Sequence, residues 1–106
     1  MNESEIKAVV KATISEMRAQ GLLKDDIQQA YQTVAQRLKM YYGGKSDPKL
    51  AEVLDKLRND VYFEVLTMYY RDGLKVEQIA DIMIANAGTI SRNKRRLCLE
   101  IYTELY

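Results

Sequence analysis

The chain contains no histidine and no tryptophan, and in 106 residues it has one cysteine, one proline and five glycines. Without histidine there is no imidazole base, no His-containing triad, and none of the commonest metal ligand. A single cysteine, Cys98, rules out an internal disulfide and a cysteine-clustered zinc site, so a reducing, intracellular setting is the default expectation. No Gly-rich phosphate loop and no nucleophile motif occurs, so a binding protein is expected rather than an enzyme, with no cofactor and no metal. The opening residues "MNESEIKAVVK" are polar where a secretory signal would be apolar, and no run approaches membrane-spanning length. The expected location is the cytoplasm, with no membrane partner.

The chain is 47% hydrophobic and 29% charged, ordinary for a globular domain and too apolar for a disordered one. Eight tyrosines and one phenylalanine supply the aromatic rings. Rings with a polar tip suit half-buried positions in a thin core. The formal net charge is only +1, but its distribution is uneven. Arg92, Lys94, Arg95 and Arg96 fall within five residues, with no acid between Asp81 and Glu100. Taking those four away leaves the rest of the chain at −3, so the positive charge is local.

Apolar spacing predicts an all-α fold. Ile6, Val9, Val10, Thr13, Ile14 and Met17 mark a helix over about 4–20, which Gly21 would end. Ile27, Ala30, Tyr31, Val34, Leu38 and Tyr41 mark a second, from Asp25 or Asp26 to Tyr42. Together these would form an N-terminal helical hairpin over 1–43. The segment "YGGKSDPK" is the clearest break, with Asp47-Pro48 suited to a cap followed by the first helical residue, and 44–48 reads as a linker. Residues 49–106 read as a C-terminal domain of three or four helices. In it, Leu50, Val53, Leu54, Leu57 and Val61, then Phe63, Val65, Leu66 and Tyr69, give one bent helix or two over 48–71, closed by Gly73. Asn59 and Asp60 are candidate caps for the second of these.

Lys75 to Leu97 has the pattern of a helix-turn-helix. Ile79 and Met83 face inward on a short helix, Ala80 permits close approach, and Ile90 and Leu97 anchor a second helix. Such a second helix lies in the DNA major groove, its N-terminal half against base edges. Arginine pairs with guanine, Thr and Ser donate or accept, and the threonine methyl meets a thymine methyl. The base-contact candidates are therefore Thr89, Ser91, Arg92 and Arg95. Asn93, Lys94 and Arg96, with Lys75 and Gln78 on the first helix, are candidates for the phosphate backbone, which positions without specifying. The competing reading is a solvated basic face, with Arg96 paired to Glu100 four residues on. The tyrosines read as core or half-core packing rather than base-stacking platforms, and Cys98 as a small core residue.

Residues 54–105, with "YFEVL" and "YYRDGL", then "EQIAD", then "TISRNKRRL" ahead of an apolar tail, resemble the C-terminal part of ArpU-type phage transcriptional regulators. These in turn are similar to the DNA-reading fourth region of bacterial sigma factors. "GLLKDDIQQAYQTVAQRLKMYY" resembles the opening helices of such proteins. The resemblance implies a regulator of phage or prophage origin that binds promoter DNA. It places the reading positions on Thr89, Ser91, Arg92, Arg95 and Arg96. Relatives carry a longer segment where this chain has "GGKSDPK". The turn also departs from the family pattern, with Ile84 where Gly or Asn would adopt a left-handed conformation. A β-branched residue is sterically disfavoured there, so the first helix is expected to run through Ile84, with Asn86 or Gly88 left-handed and the second helix starting near Thr89. Two alternatives stand beside DNA reading: a module binding RNA polymerase or another regulator, and a small terminase-like packaging subunit. A homodimer would suit a two-fold operator.

Overall fold

The computed structural model describes residues 24–106, and every regular element in that span is helical. The helix expected over 4–20, and with it the hairpin partner, lies outside the described residues. Helix α1 spans Lys24–Tyr42 and buries Ile27, Ala30, Val34 and Leu38, the three- and four-residue spacing of one helical face. It closes on Gly44, whose φ of 109° requires a residue without Cβ, while the Lys45 amide donates to the Met40 carbonyl at 3.0 Å.

Helix α2, Pro48–Leu57, starts as expected: Asp47 caps it by accepting from the Leu50 amide at 3.2 Å, and proline takes the first turn. It buries Leu50, Val53, Leu54 and Leu57 and then stops. The apolar stripe does not continue to Val61, which is 78% exposed. Asp60 redirects the chain there: its carboxylate accepts from the Tyr62 amide at 2.9 Å, and its carbonyl from the Phe63 amide at 3.0 Å. The 48–71 segment is thus two pieces. The second, α3, is a single α-turn over Phe63–Leu66 that widens into a π-turn over Thr67–Arg71. Gly73, at φ 71°, ends it.

Helix α4, Val76–Met83, buries Ile79 and Ala80. Helix α5, Ala87–Leu105, buries Ile90, Lys94, Leu97, Cys98, Glu100 and Ile101, and packs against α1, α2, α3 and α4. Its N-terminal end sits in a small apolar cluster of Val65, Ile79, Ala80 and Ile90. Its C-terminal half joins a larger one in which Val34 and Leu38 of α1 meet Leu50, Leu54 and Leu57 of α2. The break at 44–48 is therefore a turn between two helices that share one core.

The turn between α4 and α5 differs from expectation. Helix α4 ends at Met83, and Ile84 itself is left-handed, at φ 54° and ψ 53°. The Ala85 amide reaches back to the Ala80 carbonyl at 2.9 Å and the Ile84 amide to Asp81 at 3.4 Å, the paired bonds of a helix stop that normally uses glycine. Asn86 is extended rather than left-handed, because its side chain caps α5 by accepting from the Thr89 amide at 2.7 Å. Gly88 lies inside the helix, which begins at Ala87, two residues before Thr89. The strain at Ile84 is borne with the side chain 94% exposed, where no packing contact forces it.

Candidate nucleic-acid interface

The basic run Arg92–Arg96 lies wholly on α5, and the helical period divides it. Positions 90, 94, 97 and 101 follow the inner stripe, so Lys94 is carried inward and is only 8% exposed. Its ammonium sits 3.7 Å from the Tyr69 ring centroid and 5.8 Å from that of Tyr31, a cation held between two aromatic faces. Arg96 turns toward α3. Its two terminal nitrogens each donate to one oxygen of Asp60 at 3.0 Å, a forked pair, and one of them also donates to Glu100 at 3.0 Å. Burial pulls this guanidinium's pKa down, but the two carboxylates outweigh it and the net shift is upward. Asp60 and Glu100 are themselves buried.

The other side of the helix is open. Ser91, Arg92 and Arg95 are exposed and Thr89 partly so. Arg92 folds back along the helix, its guanidinium 3.4 Å from the Thr89 hydroxyl. Gly88 leaves room for this: a Cβ there would lie 3.3 Å from both Arg92 Nη1 and Asn86 Oδ1. Asn93 is half-buried, its amide donating to the Thr89 carbonyl at 2.8 Å and accepting from Arg96 Nε at 3.1 Å. Arg95 extends to α1, where Gln28 accepts its hydrogen bond at 3.2 Å and the Tyr31 ring lies 5.6 Å away.

Lys75 stands just ahead of α4, its amide donating to the Gln78 side-chain oxygen at 2.9 Å, so that Gln78 is partly engaged in closing its own helix. Lys75, Val76 and Glu77 share an open hollow of about 430 Å³ with Ala87, Gly88, Ser91 and Tyr69, so one acid faces the start of α5 beside Lys75. The fold therefore leaves Thr89, Ser91, Arg92 and Arg95 on the open side of α5, with Lys75 and Glu77 across the hollow from Ser91. It directs Lys94 and Arg96 away from that side and into internal contacts, contrary to their assignment as exposed phosphate ligands. Sequence reasoning missed Gln28, Tyr31 and Asp60 as partners of this run. Only the Arg96–Glu100 pair, four residues apart on one helix, carries a local signal.

Among the described residues no group of three His, Cys, Asp or Glu side chains could hold a metal ion, and no helix is long and apolar enough to cross a membrane. The Cys98 thiol is buried against the Tyr70 hydroxyl at 3.7 Å, and burial pushes its pKa up to about 11, which removes it as a nucleophile near neutral pH. Comparison of the chain with protein-family models, with curated proteins and with solved structures finds no match.

Proposed function

We propose that α4 and α5 form a helix-turn-helix with which the protein binds duplex DNA, and that it acts as a transcriptional regulator without catalytic activity. The observation that carries this reading is the open face of the first turns of α5. There Thr89, Ser91, Arg92 and Arg95 stand on the exposed side of a capped helix, with Lys75 and Glu77 at the start of α4 beside Ser91. A helix N-terminus entering the major groove presents such residues to base edges and its amides to phosphate. Arg92 supplies the forked donor suited to guanine, while Thr89 and Ser91 supply smaller donors and acceptors. Lys75 and Arg95 flank them as backbone contacts. The resemblance of residues 54–105 to ArpU-type phage regulators supports promoter DNA as the target.

The test is a fluorescence-anisotropy titration of the wild type and an Arg92→Glu/Arg95→Glu variant against mixed-sequence and promoter-derived duplexes over a range of salt. Each phosphate neutralised contributes about −0.9 to the slope of log affinity against log salt. With Lys75 and Arg95 on phosphates the slope is about −1.8, whereas adding Lys94 and Arg96 as phosphate ligands would give about −3.6. The variant should lose binding. Absence of salt-dependent binding by the wild type overturns the reading.

One observation favours a protein partner as a second reading. Ile82 and Ile84 are 60% and 94% exposed at the C-terminal end of α4, next in sequence to the exposed Asp81. If this end of α4 serves a polymerase or another regulator, Ile82→Ser/Ile84→Asn abolishes that association and leaves DNA binding intact.

A further inference from the structure

We infer that α1 forms a second contact strip for DNA, along which a row of glutamines holds the sugar-phosphate backbone beside the step read by α5. This rests on the DNA-binding reading above and extends it to a helix that the basic run does not include.

Three observations converge. First, an open hollow of about 580 Å³ runs along α1, lined by Gln28, Gln29, Gln32, Gln36 and Lys39. Its far wall is Tyr69, and Tyr69 also lines the hollow between the N-termini of α4 and α5. The α1 trough thus borders, at Tyr69, the hollow that holds Lys75, Glu77 and Ser91. Second, Arg95 links the exposed face of α5 to the α1 strip by donating to Gln28. That hydrogen bond and the Tyr31 ring hold its guanidinium against α1, so Arg95 belongs to the backbone strip rather than to base reading. Third, no described acid lines the α1 hollow, and the four glutamines and Lys39 are exposed along it. Carboxamides present two N–H donors each without a charge, and Gln is among the side chains that position duplex DNA through phosphate oxygens.

The dimensions suit a duplex flank. Gln28 to Gln36 spans roughly 12 Å of helix axis at 1.5 Å per residue. At 3.4 Å per base pair that corresponds to roughly three base pairs of backbone. The aromatic floor gives the trough a fixed shape: Tyr69 and Tyr70 pack edge to face at 4.9 Å, and Lys94 lies against Tyr69 from within. Lys94, absent from the open face, thus stiffens the surface it does not touch.

The experiment is hydroxyl-radical footprinting and affinity measurement on the duplex that the wild type enriches from a randomised pool, using Gln29→Glu/Gln32→Glu and Gln29→Lys/Gln32→Lys. Both pairs are exposed on α1, outside the Arg95 contact, and circular dichroism confirms that each variant folds. The acidic pair should shorten the footprint by roughly three base pairs on one flank and weaken binding roughly tenfold, equally on enriched and mixed-sequence duplexes. The basic pair should strengthen it and keep the full footprint. Wild-type binding with an unchanged footprint and affinity in both variants overturns the α1 strip while leaving the α5 reading in place. Failure of the wild type to enrich or bind any duplex overturns both.

Discussion

Replacing Ile84 with glycine should stabilise the protein, although it removes a large apolar side chain. In most settings such a change costs several kcal/mol through lost burial and a cavity. Here Ile84 is 94% exposed, so almost no burial is lost. What it contributes instead is strain. At φ 54° and ψ 53° the Cβ of an L-residue crowds the neighbouring carbonyl, a penalty of about 1–2 kcal/mol, and β-branching places it at the upper end. Glycine removes that penalty but returns roughly 0.5–1 kcal/mol through the greater freedom of the unfolded chain. The net gain is about 1–1.5 kcal/mol, or about 4–7 °C in Tm for a chain of this size. The Ile84→Asn variant should do at least as well, because asparagine tolerates the left-handed region without glycine's entropy cost. Ile84→Val, which keeps both the branching and the conformation, should leave stability unchanged. Thermal and urea denaturation followed by circular dichroism would read all three. If the glycine and asparagine variants are less stable than the wild type, either Ile84 is not left-handed or its side chain is packed, and the account of the α4–α5 turn fails.

Other perturbations bear on the buried cations and the thiol. Arg96→Ala takes the shared cation from two buried carboxylates and should cost about 3 kcal/mol in urea unfolding, far more than loss of an exposed arginine. Lys94→Met should stay within about 1 kcal/mol of wild type, since a thioether fills the slot between Tyr31 and Tyr69, whereas Lys94→Ala should lose about 2 kcal/mol; equal, negligible effects would mean that Lys94 is on the surface. Cys98 should resist a thiol reagent at pH 8 until denaturant is added. Because burial raises its pKa from 9.0 to about 11, the stability linked to the neutral thiol is complete below pH 9 and is lost as pH rises through 11. Tyr70, raised mainly by its own burial and then by the charge of the neighbouring thiolate, acts in the same direction. Stability that stays flat between pH 8 and 11 would contradict this.

The helices were legible wherever a residue's type and its spacing agreed. Val34 and Leu38, or Leu50 and Leu54, are apolar at apolar positions, and Asp47-Pro48 and Gly73 punctuate the chain as their chemistry requires. Legibility failed where type and position conflict. Lys94 falls four residues after Ile90 and three before Leu97, so its spacing says core while its charge says surface, and the spacing prevailed because Tyr31 and Tyr69 provide a cationic slot. Val61 is the converse, an apolar residue at an apolar spacing left outside because Asp60 had already turned the chain. Ile84 is by type a poor occupant of the left-handed position, yet the helix stop forms around it. Partners distant in sequence, Gln28 for Arg95 and Asp60 for Arg96, have no local signature at all.

The division of the basic run has a consequence for how such a small protein could read DNA. A helix in a groove presents residues according to its rotation about its own axis, and neighbouring positions differ by about 100°. Apolar contacts at Ile90 and Leu97 fix that rotation loosely, since packed side chains repack at modest cost. Lys94 and Arg96 fix it from two further directions, one toward α1 and α3 through the tyrosines, the other toward Asp60 through a planar fork with defined geometry. Burying two cations adds little net stability. It does make another rotation expensive, because a turned helix would take the Arg96 guanidinium from the buried Asp60 carboxylate and carry Ile90 and Leu97 out of the core. The charges that leave the surface thereby determine that Thr89, Ser91 and Arg92 are the residues that remain on it.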